Sequence, residues 1–251
     1  ELACEGGLVG QWIGIDGLEA TITDVMLRVY YTDGANETHL LRPSSPGAEI
    51  GEAAGATRRA IAYTRLGVQH IVQGVDHLLF VFGLLMIVCT PAMLLKTISS
   101  VTVAHSLTLA FATLGHADAP ALPLNAVIAL SILFLGPEVI RAQRGQTSLT
   151  IRHPWSVAFA FGLLHGFGYA TGLTEMGLPE SEIPMALLTF NIGVEIGQIA
   201  FVGLVLLLAR SFRVMEIRWP RWAQALPAYA IGAFGAYWTI DRTLMLLQAV
   251  L

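Results

Sequence analysis

Residues 66–85 read LGVQHIVQGVDHLLFVFGLL, an apolar run that nevertheless carries two histidines, two glutamines and an aspartate. On a straight α-helix His70 and His77 differ by seven residues, about 20° around the axis and ~10.5 Å along it, so with Gly74 they share one stripe. Gln69, Gln73 and Asp76 form a second stripe beside it. Such a face cannot point at lipid. An Asp at the centre of a membrane helix costs ~2.5 to 3.5 kcal/mol on insertion scales, so this one requires a partner, a cavity or a metal.

The rest of the chain obeys the same solvent. Charged residues are 13% of the sequence, where soluble domains run near ~25%. Hydrophobic residues are 55%, and the mean hydropathy is +0.64. The 251 residues leave room for about six spans of ~20 residues. These are expected at 66–90, 94–114, 122–141, 155–175, 183–209 and 222–249. Lys96, then Arg141, Arg144 and Arg152, then Arg210, Arg213, Arg218 and Arg221 fall in alternate connections. The other connections carry His116 and Asp118, or Glu175, Glu180 and Glu182, without Lys or Arg. The basic loops are therefore expected on the cytoplasmic side of a bacterial inner (plasma) membrane, with both termini extracytoplasmic. Arg58, Arg59 and Arg65 run against this, but they are outnumbered and adjoin a translocated segment. Trp155, Trp219, Trp222 and Trp238 are expected at the interfaces. A net charge of −4 and a pI near 6.0 exclude nucleic acid as a partner, because no basic surface is available to neutralise phosphates.

Before the first span the pattern differs. TITDVMLRVYY, residues 21–31, is β-rich, Asp33-Gly34 offers a hairpin turn before His39-Leu40-Leu41, and Pro43 to Gly55 reads as a linker. Two or three strands make no core, so this is read as part of an incomplete domain or as a ribbon that pairs with a partner subunit. The chain starts at Glu1 without an initiator Met and is read as a processed or partial product. Cys4 and Cys89 are expected on opposite faces of the membrane, unable to pair. The fold class that follows is an all-α polytopic membrane protein. About six transmembrane helices in residues 63–251 are preceded by a small extracytoplasmic β-strand segment and linker in 1–62.

Other spans repeat the conflict between apolar run and polar face. The second aligns Ser99, Thr102, His105 and Ser106 at three- and four-residue spacings. In the fourth, FAFGLLHGFGYATG (159–172), Gly162 and Gly166 let a neighbour approach His165 closely. The fifth places Asn191, Glu195 and Gln198 on one stripe. Isolated hydroxyls are ordinarily interhelical hydrogen bonds, and Ser99, Thr102 and Ser106 are so read. Glu138 is divided between a functional role and snorkelling beside Arg141. Adjacent Asp241 and Arg242 near the outer end of the last span are read as structural, and His39, His116 and His153 as solvated. Four histidines, an aspartate and a glutamate over four spans are different, since each costs insertion energy without a packing need. They are read as one metal-binding cluster of His70, Asp76, His77, His105, His165 and Glu195, with Gln73, Ser106, Asn191 and Gln198 in support. Imidazole and carboxylate donors suit nickel, cobalt, zinc, iron or copper, whereas magnesium and calcium prefer oxygen and cuprous copper prefers sulfur. On a straight helix His70 and His77 are too far apart to hold one ion together. The site then needs one of them with donors from other spans, or two stations along a path.

HIVQGVDHLLF (70–80), TVAHSLTLA (102–110), AVIALSI (126–132), FAFGLLHGFGYATGL (159–173) and FNIGVEIGQ (190–198), in that order, resemble the HupE/UreJ family of membrane proteins. The likeness runs from residue 62 to about 205. It implies a secondary-transporter-like protein, not an enzyme, associated with nickel supply and also with cobalt. It implies too that the residues before Tyr63 belong to the end of an outer β-rich domain. His70, Asp76, His77, His105, His165 and Glu195 match the family's polar positions. Asn125 stands where relatives usually have a Glu, a departure that bears on metal preference or coupling. Three functions follow in order: a metal permease; an accessory or assembly subunit of a larger membrane metalloenzyme; and a metal-dependent intramembrane hydrolase with a base such as Glu195. The last lacks an HExxH segment. Since imidazole binds metal only when deprotonated, nickel retention by the purified protein should fall as pH is lowered through the histidine range; retention indifferent to acid would contradict imidazole ligation.

Overall fold

The computed structural model describes residues 8–20, 25–31, 36–51, 55–117, 119–175, 182–214 and 220–250. Strand β1 (Trp12–Gly14) pairs antiparallel with β4 (Gly47–Glu49), and β2 (Val25–Tyr30) with β3 (Asn36–Leu41), from Val25 opposite Leu41 to Tyr30 opposite Asn36. The expected hairpin is thus present. Its Asp33-Gly34 turn, the run 21–24 and Cys4 lie outside the described residues. Two expectations change. Strand β4 occupies the stretch read as linker, where Ile50 N–H donates to Gln11 and Gly10 N–H to Ile50, extending the ladder. His39 is half-buried rather than solvated, because strand alternation sets it on the same face as Leu41, which is 1% exposed.

Eight helices follow among the described residues: α1 (Ala56–Gln73), α2 (Val75–Ile87), α3 (Pro91–Thr113), α4 (Ala121–Gln143), the single turn α5 (Leu149–Arg152), α6 (Pro154–Glu175), α7 (Ile183–Val214) and α8 (Arg221–Val250). By length and apolar composition α3, α4 and α7 can each cross a membrane, and α1 with α2 makes a fourth candidate, bent by 74°. Helices α6 and α8 fall on the fourth and sixth expected spans and lie against α3 and α4, while α1 lies against α7. The first expected span is therefore not one rod. Gly74 leaves the helical region at ψ 86°, with its N–H still donating to His70 O, and the chain restarts as α2. Asp76 in the first turn of α2 accepts the His77 N–H at 3.0 Å, where a carboxylate complements the helix dipole.

Large apolar side chains cover much of the outer surface, and several polar ones lie inside. Val103, Leu107 and Phe111 on α3, Leu130 and Phe134 on α4, and Ile192, Ile196 and Ile199 on α7 face outward, while Thr102, His105, Ser131, His165, Asn191 and Gln198 are buried. That is the arrangement a lipid solvent selects. Apolar contacts close the centre: Phe80, Leu84, Ile132, Leu135 and Ile231 bind α2, α4 and α8 together, and Ile71, Leu109, Phe190 and Val194 join α1, α3 and α7. Near the C-terminal end of α4, Glu138 is buried against Arg141 and Ser148, so it is paired rather than aimed at the imidazoles. Lys96 lies over the Trp155 ring at 4.2 Å.

Glycine sets the closest approach. A Cβ on Gly67 of α1 would stand 2.0 Å from Phe190 O of α7, and one on Gly193 of α7 would stand 2.0 Å from Thr64 O of α1. Both obstructions are backbone, which cannot swing aside. Gly162 and Gly166 do the same for α6 against α3, as their spacing predicts. Gly67→Val or Gly193→Val should therefore lower stability by at least ~1 to 3 kcal/mol and reduce the yield of folded protein, whereas Gly203→Ala, with open space around its Cβ, should not; thermal unfolding in detergent checks this.

Candidate metal centre

The bend at Gly74 overturns the separation expected of a straight helix. His70, on the last turn of α1, and His77, on the first turn of α2, have ring centroids 4.7 Å apart. His105 from α3 lies 5.8 Å from His70 and 6.3 Å from His77, and His165 from α6 lies 4.9 Å from His77. One ring nitrogen from each of His70, His77 and His105 falls within 4.8 Å of the other two. Three donors bonded to one ion at ~2.1 Å in tetrahedral geometry stand about 3.4 Å apart, so these three would have to converge by rather more than ~1 Å to hold one transition-metal ion together.

The hydrogen bonds behind the rings decide which nitrogen carries a lone pair. Asp76 Oδ1, a carboxylate oxygen, accepts from His77 Nδ1 at 3.0 Å, leaving His77 Nε2 as the lone-pair atom. Asn191 Nδ2 donates to Leu187 O, so its Oδ1 faces His105 and accepts from Nδ1 at 3.3 Å. Ser131 commits its hydroxyl proton to Ile128 O at 2.6 Å and so accepts from His165 Nε2 at 3.2 Å. In consequence His77 Nε2, His105 Nε2 and His165 Nδ1 are lone-pair atoms, and each is buried without a hydrogen-bond partner among the described residues. Fixing one nitrogen from behind while the other is left for a cation is the usual second layer of a metal site.

Around the rings lies a cavity of about 280 Å³, whose lining includes Gln69, Gln73, Asp76, Asn125 and Gly168 with His70, His77 and His165. Phe80 stands 5.0 Å from the His165 ring, and Phe190 lies near-parallel to His105 at 6.4 Å. His105 and His165 are each 1% exposed. From His105 a polar ladder between α3 and α7 continues away from the cavity: Thr102 Oγ1 donates to Gln198 Oε1 at 3.1 Å, and Ser99 Oγ donates to Glu195 Oε1 at 2.8 Å. Ser99 precedes His105 by six residues, ~9 Å along α3, and Glu195 follows Asn191 by four, ~6 Å along α7, so Glu195 stands about a helical turn or more from the level of His105. Its Oε2 is buried without a hydrogen-bond partner among the described residues.

Of the residues singled out from sequence, His70, His77, His105 and His165 come together with Asp76 directly behind, and Gln73 lines the cavity. Asn191 orients His105, and Gln198 sits on the ladder. Ser106 bonds its own helix at Thr102 O and contributes nothing visible to the cluster. His116 and His153 are exposed, as expected. Arg242, read from sequence as structural, was not connected with the cluster: its Nη2 stands 3.7 Å from Asp76 Oδ2, and its Nη1 donates to Asn125 O at 3.0 Å. Ser131 was passed over as well. The available signals were an Arg placed inside an apolar run and a lone hydroxyl in the stretch ALSI.

The fold and this cluster together define a polytopic helical membrane protein with histidines gathered between its helices. The chain belongs to the HupE/UreJ family, whose model, described as HupE / UreJ protein, matches residues 48–242. Membership marks it as a nickel/cobalt-related membrane protein from a metal transport or accessory family. No curated protein and no solved structure gives a significant match to the chain.

Ser131→Ala, which removes the acceptor behind His165, should lower nickel affinity by ~10- to 100-fold without loss of helix content; calorimetric titration and circular dichroism on the same sample check both.

Proposed function

We propose that the chain is a permease for a divalent transition metal, nickel first and cobalt next, with zinc, iron and copper compatible with the same donors. The observation that carries this reading is the convergence of four imidazoles, of which His77, His105 and His165 each have one nitrogen held by Asp76, Asn191 or Ser131 and the other buried without a hydrogen-bond partner among the described residues. The ion is cargo. It enters the cavity beside Gln73, is taken by His70, His77 and His105 with His165 adjacent, and passes down the α3–α7 ladder to Glu195 as a second station. Two stations of moderate affinity serve conduction better than one tight cage, since an ion must leave as well as bind. In this reading residues 63–251 form the transmembrane domain of an inner-membrane protein, residues 1–62 lie outside, and both termini are extracytoplasmic.

One observation favours a second reading, an accessory subunit that docks on a larger metalloenzyme. Trp12 is 64% and Tyr30 71% exposed on two-stranded sheets, surfaces that a partner would cover. Purification in mild detergent separates the two, since a stoichiometric co-purifying enzyme is expected only of the subunit.

In reconstituted vesicles His77→Ala and Glu195→Gln should each reduce nickel uptake at least ~tenfold, the first by removing a ligand and the second by removing the charge at the further station. Uptake equal to wild type in both variants would eliminate the permease.

A further inference from the structure

Arg242 belongs to α8, which carries none of the imidazoles, yet its guanidinium reaches the carboxylate on which the cluster depends. Asp76 Oδ1 is engaged by the ring and the backbone N–H of His77. Its other oxygen, Oδ2, faces Arg242 Nη2 at 3.7 Å. That distance exceeds a hydrogen bond, so the contact is an ion pair without a direct hydrogen bond. Two other contacts of the guanidinium do not involve Asp76: Nη1 donates to Asn125 O at 3.0 Å, and the Trp238 ring lies 5.6 Å from Cζ. The guanidinium thus keeps its place when the carboxylate turns to another cation. Arginine never loses its charge, so it stands as a competitor for Asp76 Oδ2 at every pH at which the carboxylate is ionised.

A cage meant only to retain metal gains nothing from a fixed positive charge at its own carboxylate. A carrier does gain, because the charge keeps binding weak enough for release. We propose that Arg242 is a tethered cation that exchanges with the metal at Asp76. Metal entry draws Asp76 Oδ2 away from the guanidinium, which is held meanwhile by Asn125 and Trp238, and metal departure restores the pair. Arg242 thereby sets how tightly this site grips its cargo. The inference rests on the metal reading of the histidine cluster.

Nickel binding to the purified full chain in detergent, followed by calorimetric titration, tests it. Arg242→Gln should bind nickel about fivefold more tightly or better, because the competitor is gone. A guanidinium that serves only to position Asp76 gives the opposite sign, and unchanged or weaker binding in a folded Arg242→Gln protein overturns the exchange. Asp76→Asn supplies the second arm, since exchange at that carboxylate predicts no gain when Arg242→Gln is added to it. The double variant buries no unpaired charge and remains measurable if the single variant does not fold. Affinity equal to Asp76→Asn alone supports the exchange, and the same tightening in that background overturns it. A wild-type chain that binds no nickel would remove the metal reading itself, an outcome distinct from failure of the exchange alone.

Discussion

The structure depends on the cost of carrying ionisable side chains where water does not reach. A charged or imidazole group facing hydrocarbon has no partner, and each such group is worth several kcal/mol against insertion. The chain meets this by turning His105, His165, Asn191 and Gln198 toward neighbouring helices, while the faces that look outward carry residues such as Val103, Leu107, Phe134 and Ile196. The break at Gly74 belongs to the same solution. A continuous helix would hold His70 and His77 about two turns apart; the bend brings their rings to 4.7 Å and leaves Asp76 at a helix start, where its charge is compensated.

Packing, rather than polar pairing, holds this arrangement. Interhelical hydrogen bonds in membranes average ~0.6 kcal/mol and reach at most ~1.7 kcal/mol, so the rungs His105–Asn191, Thr102–Gln198 and Ser99–Glu195 set register more than they contribute to stability. The larger contribution comes from backbone contact at Gly67, Gly193, Gly162 and Gly166, where a single Cβ would meet a carbonyl or a main-chain atom. Close backbones are what place an imidazole from α3 and another from α6 beside the two at the α1–α2 break. The gathering of the imidazoles is thus a consequence of small residues on the packed helix faces, Gly166 immediately beside His165 among them.

The polar groups behind the imidazoles are as informative as the imidazoles. A carboxylate, an amide and a hydroxyl each take one ring proton, and the three remaining nitrogens are buried lone pairs without a hydrogen-bond partner among the described residues. Asp76 has a double task in this scheme, because one oxygen orients His77 and the other faces a guanidinium from α8. Neutralising that carboxylate from a helix outside the cluster ties the site to the packing of α8 on α4.

Much of this was determined by the sequence alone. Apolar runs interrupted by His70, His77, His105 and His165 require a lipid solvent and an inward face, because no other placement satisfies them, and periodicity places Asn191, Glu195 and Gln198 on one stripe. The helix positions and the family follow from the same local patterns. What only the tertiary structure decided concerns distances between elements. The sequence cannot reveal that a single glycine folds the first span back by 74°, since Gly in a membrane helix is compatible with a straight rod. Nor can it reveal that Ser131 stands behind His165, that Arg242 reaches Asp76, or that Glu195 sits a level away from the imidazoles. Those relations join residues remote along the chain. Periodicity constrains which face of a helix a residue occupies, but only the packing of one helix on another decides what that face meets.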